Sequence, residues 1–146
     1  MEVRSAAKGI ISTPDGQIIV VRGKKSGRWN LIGGGIKDNE TPRQAFFREA
    51  DEEIIDFSKH ITDPVEEPGV ISGEVTLANG FRRLAHWTIF QAKLIKDPTK
   101  LEIANHDEIS AIAVMSTDEC FNNALMSDLA KKAIHHTLNP DYCSTR

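Results

Sequence analysis

Thr41, Pro42 and Gln44 mark the start of one helix more firmly than any other stretch of this chain marks any element, and the remaining segments must be arranged around it. Thr41 is a natural N-cap, because its hydroxyl can accept from a backbone N–H that the first helical turn leaves without a partner. Pro42 suits the first helical position, where its missing N–H is no loss. Gln44 falls where a capping box places its Glu or Gln. The helix is predicted to run from Pro42 to about Ile54. At about 100° per residue, Phe46, Phe47, Ala50 and Ile54 form an apolar stripe, so one side is anchored in a core. Glu49, Glu52 and Glu53 stand in i, i+3, i+4 relation and share one face at the edge of that stripe. Asp51 points nearly the opposite way from Glu49 and reads as ordinary surface.

Three like charges at this spacing repel, by a few tenths of a kcal/mol per pair on an open helix and by more where water is scarce. A solvated acidic face balanced by Arg48 and Arg43 would tolerate the cost. A hard divalent cation would use the charge, since all-oxygen donors suit Mg2+ or Mn2+ and no His or Cys joins them.

Around the helix the signals are those of strands. Pro14-Asp15-Gly16 makes a turn before the apolar run at 17–21, which predicts a hairpin with the mixed segment 3–12. Residues 22–29 form a basic loop with Arg22, Lys24, Lys25 and Arg28, and 30–37 is a short extended piece loosened by Gly33, Gly34 and Gly35. Strands at 69–77 and 81–94 meet across Asn79-Gly80, a strong hairpin signal. Residues 109–115 read as another strand. A last amphipathic helix over 128–138 puts Leu129, Ala133, Ile134 and Leu138 on one side. Hairpins with two interspersed helices predict a mixed sheet with helices packed on it.

The 146 residues contain no internal repeat and no linker, so one domain over 1–146 is expected. A net charge of −3 argues against broad binding to nucleic acid or an anionic membrane, yet leaves room for a small basic pocket around one phosphate-bearing ligand. Cys120 and Cys143 lie in no C-x-x-C or zinc-like spacing, so a reducing cytoplasm is expected. No charged-then-apolar leader and no apolar run approaching ~18 residues occurs, which predicts a protein that is neither exported nor membrane-spanning.

Gly34, then Glu40, then Arg48-Glu49-Ala50-Asp51-Glu52-Glu53 follow one another with gaps of five and seven residues. This series resembles the Nudix box, G-x5-E-x7-R-E-U-x-E-E-x-G-U, in which U is a bulky aliphatic residue. The likeness extends upstream through GRWNLIGGGIKDNET and downstream through NHDEISAIAVMSTDE, about residues 5–120 in all. Four positions depart from the pattern. Ile55 replaces the last glycine and Asp56 the aliphatic after it, Ile32 stands where a proline is usual, and Ala50 is small. Ile strongly disfavours the left-handed conformation with which that glycine ends a helix, so the helix is expected to run on or to leave by another route.

The resemblance implies an α/β Nudix fold, a mixed sheet sandwiched between helices, and Mg2+-dependent hydrolysis of a nucleoside diphosphate linked to a further group. It implies Glu49, Glu52 and Glu53 as metal ligands, with the Gly33 carbonyl as a fourth. The general base would be Glu49 itself, or Glu102, Asp107 or Glu108 from the loop before the last strand. Arg48 and Glu40 are implied as supports of the glutamates, and Gly34 as a place where backbone passes close to the metal site. Arg22, Lys24, Lys25 and Arg28 would contact phosphates beyond the metals, or simply form a solvated loop. Trp29 and Trp87 would stack on a base or belong to the core. His86 reads as a hydrogen-bonded sheet residue, and His135-His136 is assigned no role. Neither the proline nor the tyrosine that marks certain subgroups appears past the box, where the chain reads Ile71, Ser72, Gly73 and the single tyrosine is Tyr142. A nucleoside triphosphate is therefore the default small-molecule substrate, and a homodimer is allowed. The alternatives are a Nudix-fold nucleotide binder without turnover and a protein-interaction module with a merely acidic helix.

Overall fold

The computed structural model describes residues 3–77 and 79–138; Tyr142 and Cys143 lie outside them. A mixed seven-stranded sheet is built around β1 (Val3–Ser12). The buried apolar residues of β1 alternate between two core layers, as period two requires. Ala6 and Ile10 enter one core layer, Ala7 and Ile11 the other. The order across the sheet is β3 (Trp29–Asn30), β2 (Ile18–Gly23), β1, β6 (Arg82–Lys93), β5 (Val65–Thr76). Further, β4 (Ile32–Gly35) pairs with β1, and β7 (Ile109–Met115) with β2.

The hairpin expected at Pro14-Asp15-Gly16 is only half made. The turn forms, with the Gly16 N–H donating to the Thr13 carbonyl at 2.9 Å, but β1 and β2 pair only at Ser12 and Ile18. Beyond that point β2 runs antiparallel to β7, while β1 pairs with β4 on one edge and runs parallel to β6 on the other. Turn chemistry dictates the reversal of the chain, not the partner that each strand then takes. The glycines at 33–35 explain the exchange. A Cβ on Gly33 would stand 2.1 Å from the Ala7 carbonyl oxygen, and its φ is +128°, so only glycine lets β4 lie against β1 here. Gly33 is thus a pairing device rather than a loosening, while Gly34 and Gly35 face the side chains of Glu49 and Arg4.

The helix α1 (Pro42–Glu53) starts as the cap predicts, with the Thr41 hydroxyl accepting from the Gln44 N–H and the Gln44 side chain accepting from the Thr41 N–H. Phe46, stacked on Phe90 at 5.5 Å, presses it onto one face of the sheet. The helix does not run on past the box. Ile54 turns extended, Ile55 donates to the Glu102 carbonyl at 2.9 Å, and Asp56 takes the left-handed turn at φ +53°. The left-handed residue thus sits one position later than in the family pattern, on an Asp, which tolerates it better than Ile. Asp51 is not ordinary surface. Its carboxylate accepts from the backbone N–H and the hydroxyl of Ser58, both at 2.7 Å, tying α1 to the 3-10 turn at Phe57–His60.

On the opposite face lies α3 (Asp128–Leu138), which buries Leu129, Ala130, Ala133 and Ile134, while Leu138 is left exposed. The short helix α2 (Thr117–Asn122) was not anticipated, although Ser116 and Glu119 form a complete capping box at its start. Among the described residues no helix is long and apolar enough to cross a membrane.

Candidate active site

The three glutamates of α1 meet three different environments. Glu53 is 8% exposed, and its Oε1 accepts from the Gly33 N–H at 2.8 Å. Burial pushes its carboxyl up to about 7, against the pull of nearby Lys8 and of the Gly33 N–H, with Glu49 and Glu108 adding to the rise. Glu49 lies over Gly34, where an added Cβ would come within 2.5 Å of the carboxyl carbon. Its side chain is 20% exposed, and that of Glu52 49%.

Arg48 gathers the remaining groups. It donates to both oxygens of Glu40, at 2.6 and 2.8 Å, a fork-to-fork pair of the strong kind. The same guanidinium donates to Glu49 at 2.9 Å, to Glu52 at 3.4 Å and to the Gly35 carbonyl at 3.0 Å. Its hydrogen bonds hold the Glu40 carboxyl down at about 2. Among the described residues no three His, Cys, Asp or Glu side chains converge as a ready-made metal cage. Arg48 instead draws Glu49 and Glu52 towards itself. The donor set is nonetheless of the right chemistry for a hard divalent cation, since carboxylate oxygens lie on one helix face and Glu53 is held against a backbone N–H in a desolvated place.

The Gly33 carbonyl, expected as a fourth ligand, faces a group that sequence reasoning missed. The buried ammonium of Lys8 donates to it at 3.3 Å and to the Leu31 carbonyl at 3.4 Å, and lies 5.1 Å from the centre of the Trp87 ring. Burial lowers the pKa of Lys8, while Glu53 and then Glu49 oppose that. The available signal was a lone lysine inside the apolar run AAKGII.

Lys8 and Glu53 line a cleft of about 170 Å3, whose walls include Arg28, Asn30, Glu74 and Asp128. Of the basic run, only Arg28 reaches this cleft. Arg22 donates to the Gly27 carbonyl at 2.9 Å and lies over the Trp29 ring, bracing the loop. Lys24 and Lys25 face a neighbouring hollow together with Asp107 and Glu108. Glu102 borders a different recess beside His106, and of the three loop acids Glu108 is the one whose charge acts on Glu53. Trp87 is core, and Trp29 is partly buried against the same layer. His86 contacts the Ser72 hydroxyl across β5 and β6, as a sheet residue should.

Residues 2–137 match the family model described as the NUDIX domain. Solved structures share the fold at low identity. A MutT protein from Methanosarcina mazei Go1 superposes with a TM-score of 0.74 at 15% identity, covering 95% of each chain. The E. coli dihydroneopterin triphosphate pyrophosphohydrolase gives 0.70 at 19% identity, over 92% of this chain and 95% of its own. A MutT NUDIX hydrolase from Burkholderia pseudomallei gives 0.66 at 18%, over 92% and 98%. Among curated protein sequences none matches the chain.

Proposed function

The chain belongs to the NUDIX family, and on that premise we propose that it is a divalent-metal-dependent pyrophosphohydrolase of a nucleoside diphosphate derivative, with a nucleoside triphosphate as the first substrate to try. The observation that carries this reading is the placement of Glu53. A carboxylate kept from water at the floor of a cleft, with two further glutamates on its own helix face, is costly to maintain unless a cation joins it.

In this reading Glu49, Glu52 and Glu53 hold Mg2+, with Mn2+ as a substitute. Once bound, the ion supplies neutralisation of phosphate oxygens and acidification of a water molecule. Everything else falls to the chain itself. Arg48, locked by Glu40, sets the rotamers of Glu49 and Glu52 and must release them in part for the ion. The Gly33 N–H orients Glu53, and Lys8 keeps β4 in place by holding the Gly33 and Leu31 carbonyls. Water attacks one phosphorus of the linkage as the bridging P–O bond breaks. Its proton passes to Glu49 or Glu108, the two acids whose charges act on Glu53.

Binding without turnover is the weaker reading, because every glutamate of the box is kept. A second substrate class has one specific observation behind it. The E. coli structure of the same fold is named for a pterin triphosphate, so non-nucleotide triphosphates belong in the screen. The test is Mg2+-dependent release of phosphate or pyrophosphate from a panel of nucleotides, nucleotide sugars and pterin triphosphate. Glu53→Gln is expected to abolish release and leave the circular dichroism spectrum unchanged. Undiminished turnover in that variant removes the glutamates from the chemistry.

A further inference from the structure

The glutamates of α1 divide two recesses. Glu53 borders the cleft described above, and Glu49, one helical turn earlier and about 6 Å along the axis, borders a shallow hollow of about 520 Å3 on the other side. The strand beneath repeats this division. Lys8 lies in the cleft and Arg4, four residues earlier on the same strand face and ~13 Å away, lies in the hollow.

The hollow is cationic. Arg4, Lys37, Arg48 and Arg83 line it against only Asp38 and Glu49, in a chain whose net charge is −3. Arg48 is already engaged by Glu40, Glu49 and Glu52. Among the described residues neither Arg4 nor Lys37 forms an ion pair. Space for a ligand is provided by Gly35, since the Arg4 Nη2 lies 3.4 Å from the point where a Cβ on that residue would stand. A Cβ there would only touch the guanidinium, so the glycine leaves Arg4 the room to reach a ligand.

We propose that this hollow is a second anion subsite, in which Arg4 and Lys37, with Arg83 beside them, take the phosphate groups beyond the linkage that is cleaved; the proposal rests on the hydrolase reading and refines its substrate. A ligand laid across the glutamates has one end in the cleft and the other in the hollow. The end in the hollow is favoured to be anionic, because cations outnumber acids there by four to two. This selects a nucleoside triphosphate, or another triphosphate, over a nucleotide sugar whose far group is neutral.

The double variant Arg4→Gln/Lys37→Gln changes two exposed side chains outside the glutamate network, and an unchanged melting temperature verifies that it folds. Inorganic pyrophosphate is titrated into both proteins by calorimetry in the presence of Mg2+ at low salt. The variant is expected to bind about tenfold more weakly, the effect of two exposed charge contacts, and the difference should shrink as salt is raised. In steady-state kinetics the KM for a nucleoside triphosphate is expected to rise by a similar factor, with kcat retained and the KM for a nucleotide sugar unmoved. Equal pyrophosphate affinity in the two proteins, or an equal rise in KM for both substrates, overturns the subsite and leaves the hydrolase reading standing. Should neither protein turn over any substrate, the hydrolase reading falls, and the calorimetry alone decides whether the hollow binds pyrophosphate.

Discussion

Glu53 and Lys8 are ionisable side chains that β1, β4 and α1 close off from water, and neither forms an ion pair within 4 Å among the described residues. The carboxyl of Glu53 titrates at about 7 in the folded protein, against 4.5 ordinarily. Between those values the folded chain holds a proton that the unfolded chain has released, so stability falls as pH rises from 4.5 to about 7 and then levels off. The loss is at most about 3 kcal/mol. In metal-free protein, urea unfolding from pH 4 to pH 8 is expected to show this decline in the wild type and a flatter profile in Glu53→Gln. Parallel profiles would mean that Glu53 is not desolvated. The glutamate positions were legible from helical spacing and from the box. Lys8 was not, because the groups around it, Leu31, Gly33 and Trp87, lie far along the chain and no local pattern encodes them.

The start of helix α1 and its core-facing stripe were readable because their determinants are local. Thr41, Pro42, Gln44 and the apolar stripe all lie within a few turns of one another. Thr41→Ala removes the cap bond to the Gln44 N–H and is expected to cost about 1 kcal/mol in denaturant unfolding, with no change in the slope of the transition. A cost near zero would show that the Gln44 half of the capping box suffices. Strand pairing was less legible for the converse reason. The turn at residues 14–16 was correct, yet β2 belongs with β7, whose residues come some ninety positions later. The glycine triplet was read as slack because a glycine by itself does not disclose which backbone it admits; here that backbone is Ala7. At the end of α1 the departure at Ile55 did forecast a changed exit, though not that Asp56 would make the turn.

Taken as one body, the molecule has a sheet between α1 and α3, with the glutamates of α1 at the edge of one layer and a cleft that reaches Glu53. A cation bound among those glutamates interacts with the folded chain alone, so Mg2+ at a hundred times its dissociation constant is expected to stabilise the protein by about 2.7 kcal/mol. The melting temperature, followed over a Mg2+ titration, should rise in the wild type and stay flat in Glu53→Gln. A flat curve in both would point to the protein-interaction alternative. The central position of β1 carries a kinetic consequence as well. It is translated well before its parallel partner, Leu84 to Lys93, which follows some eighty residues later. Assembly of the sheet is therefore governed by contacts distant in sequence, which places folding towards the slow side for a chain of this size.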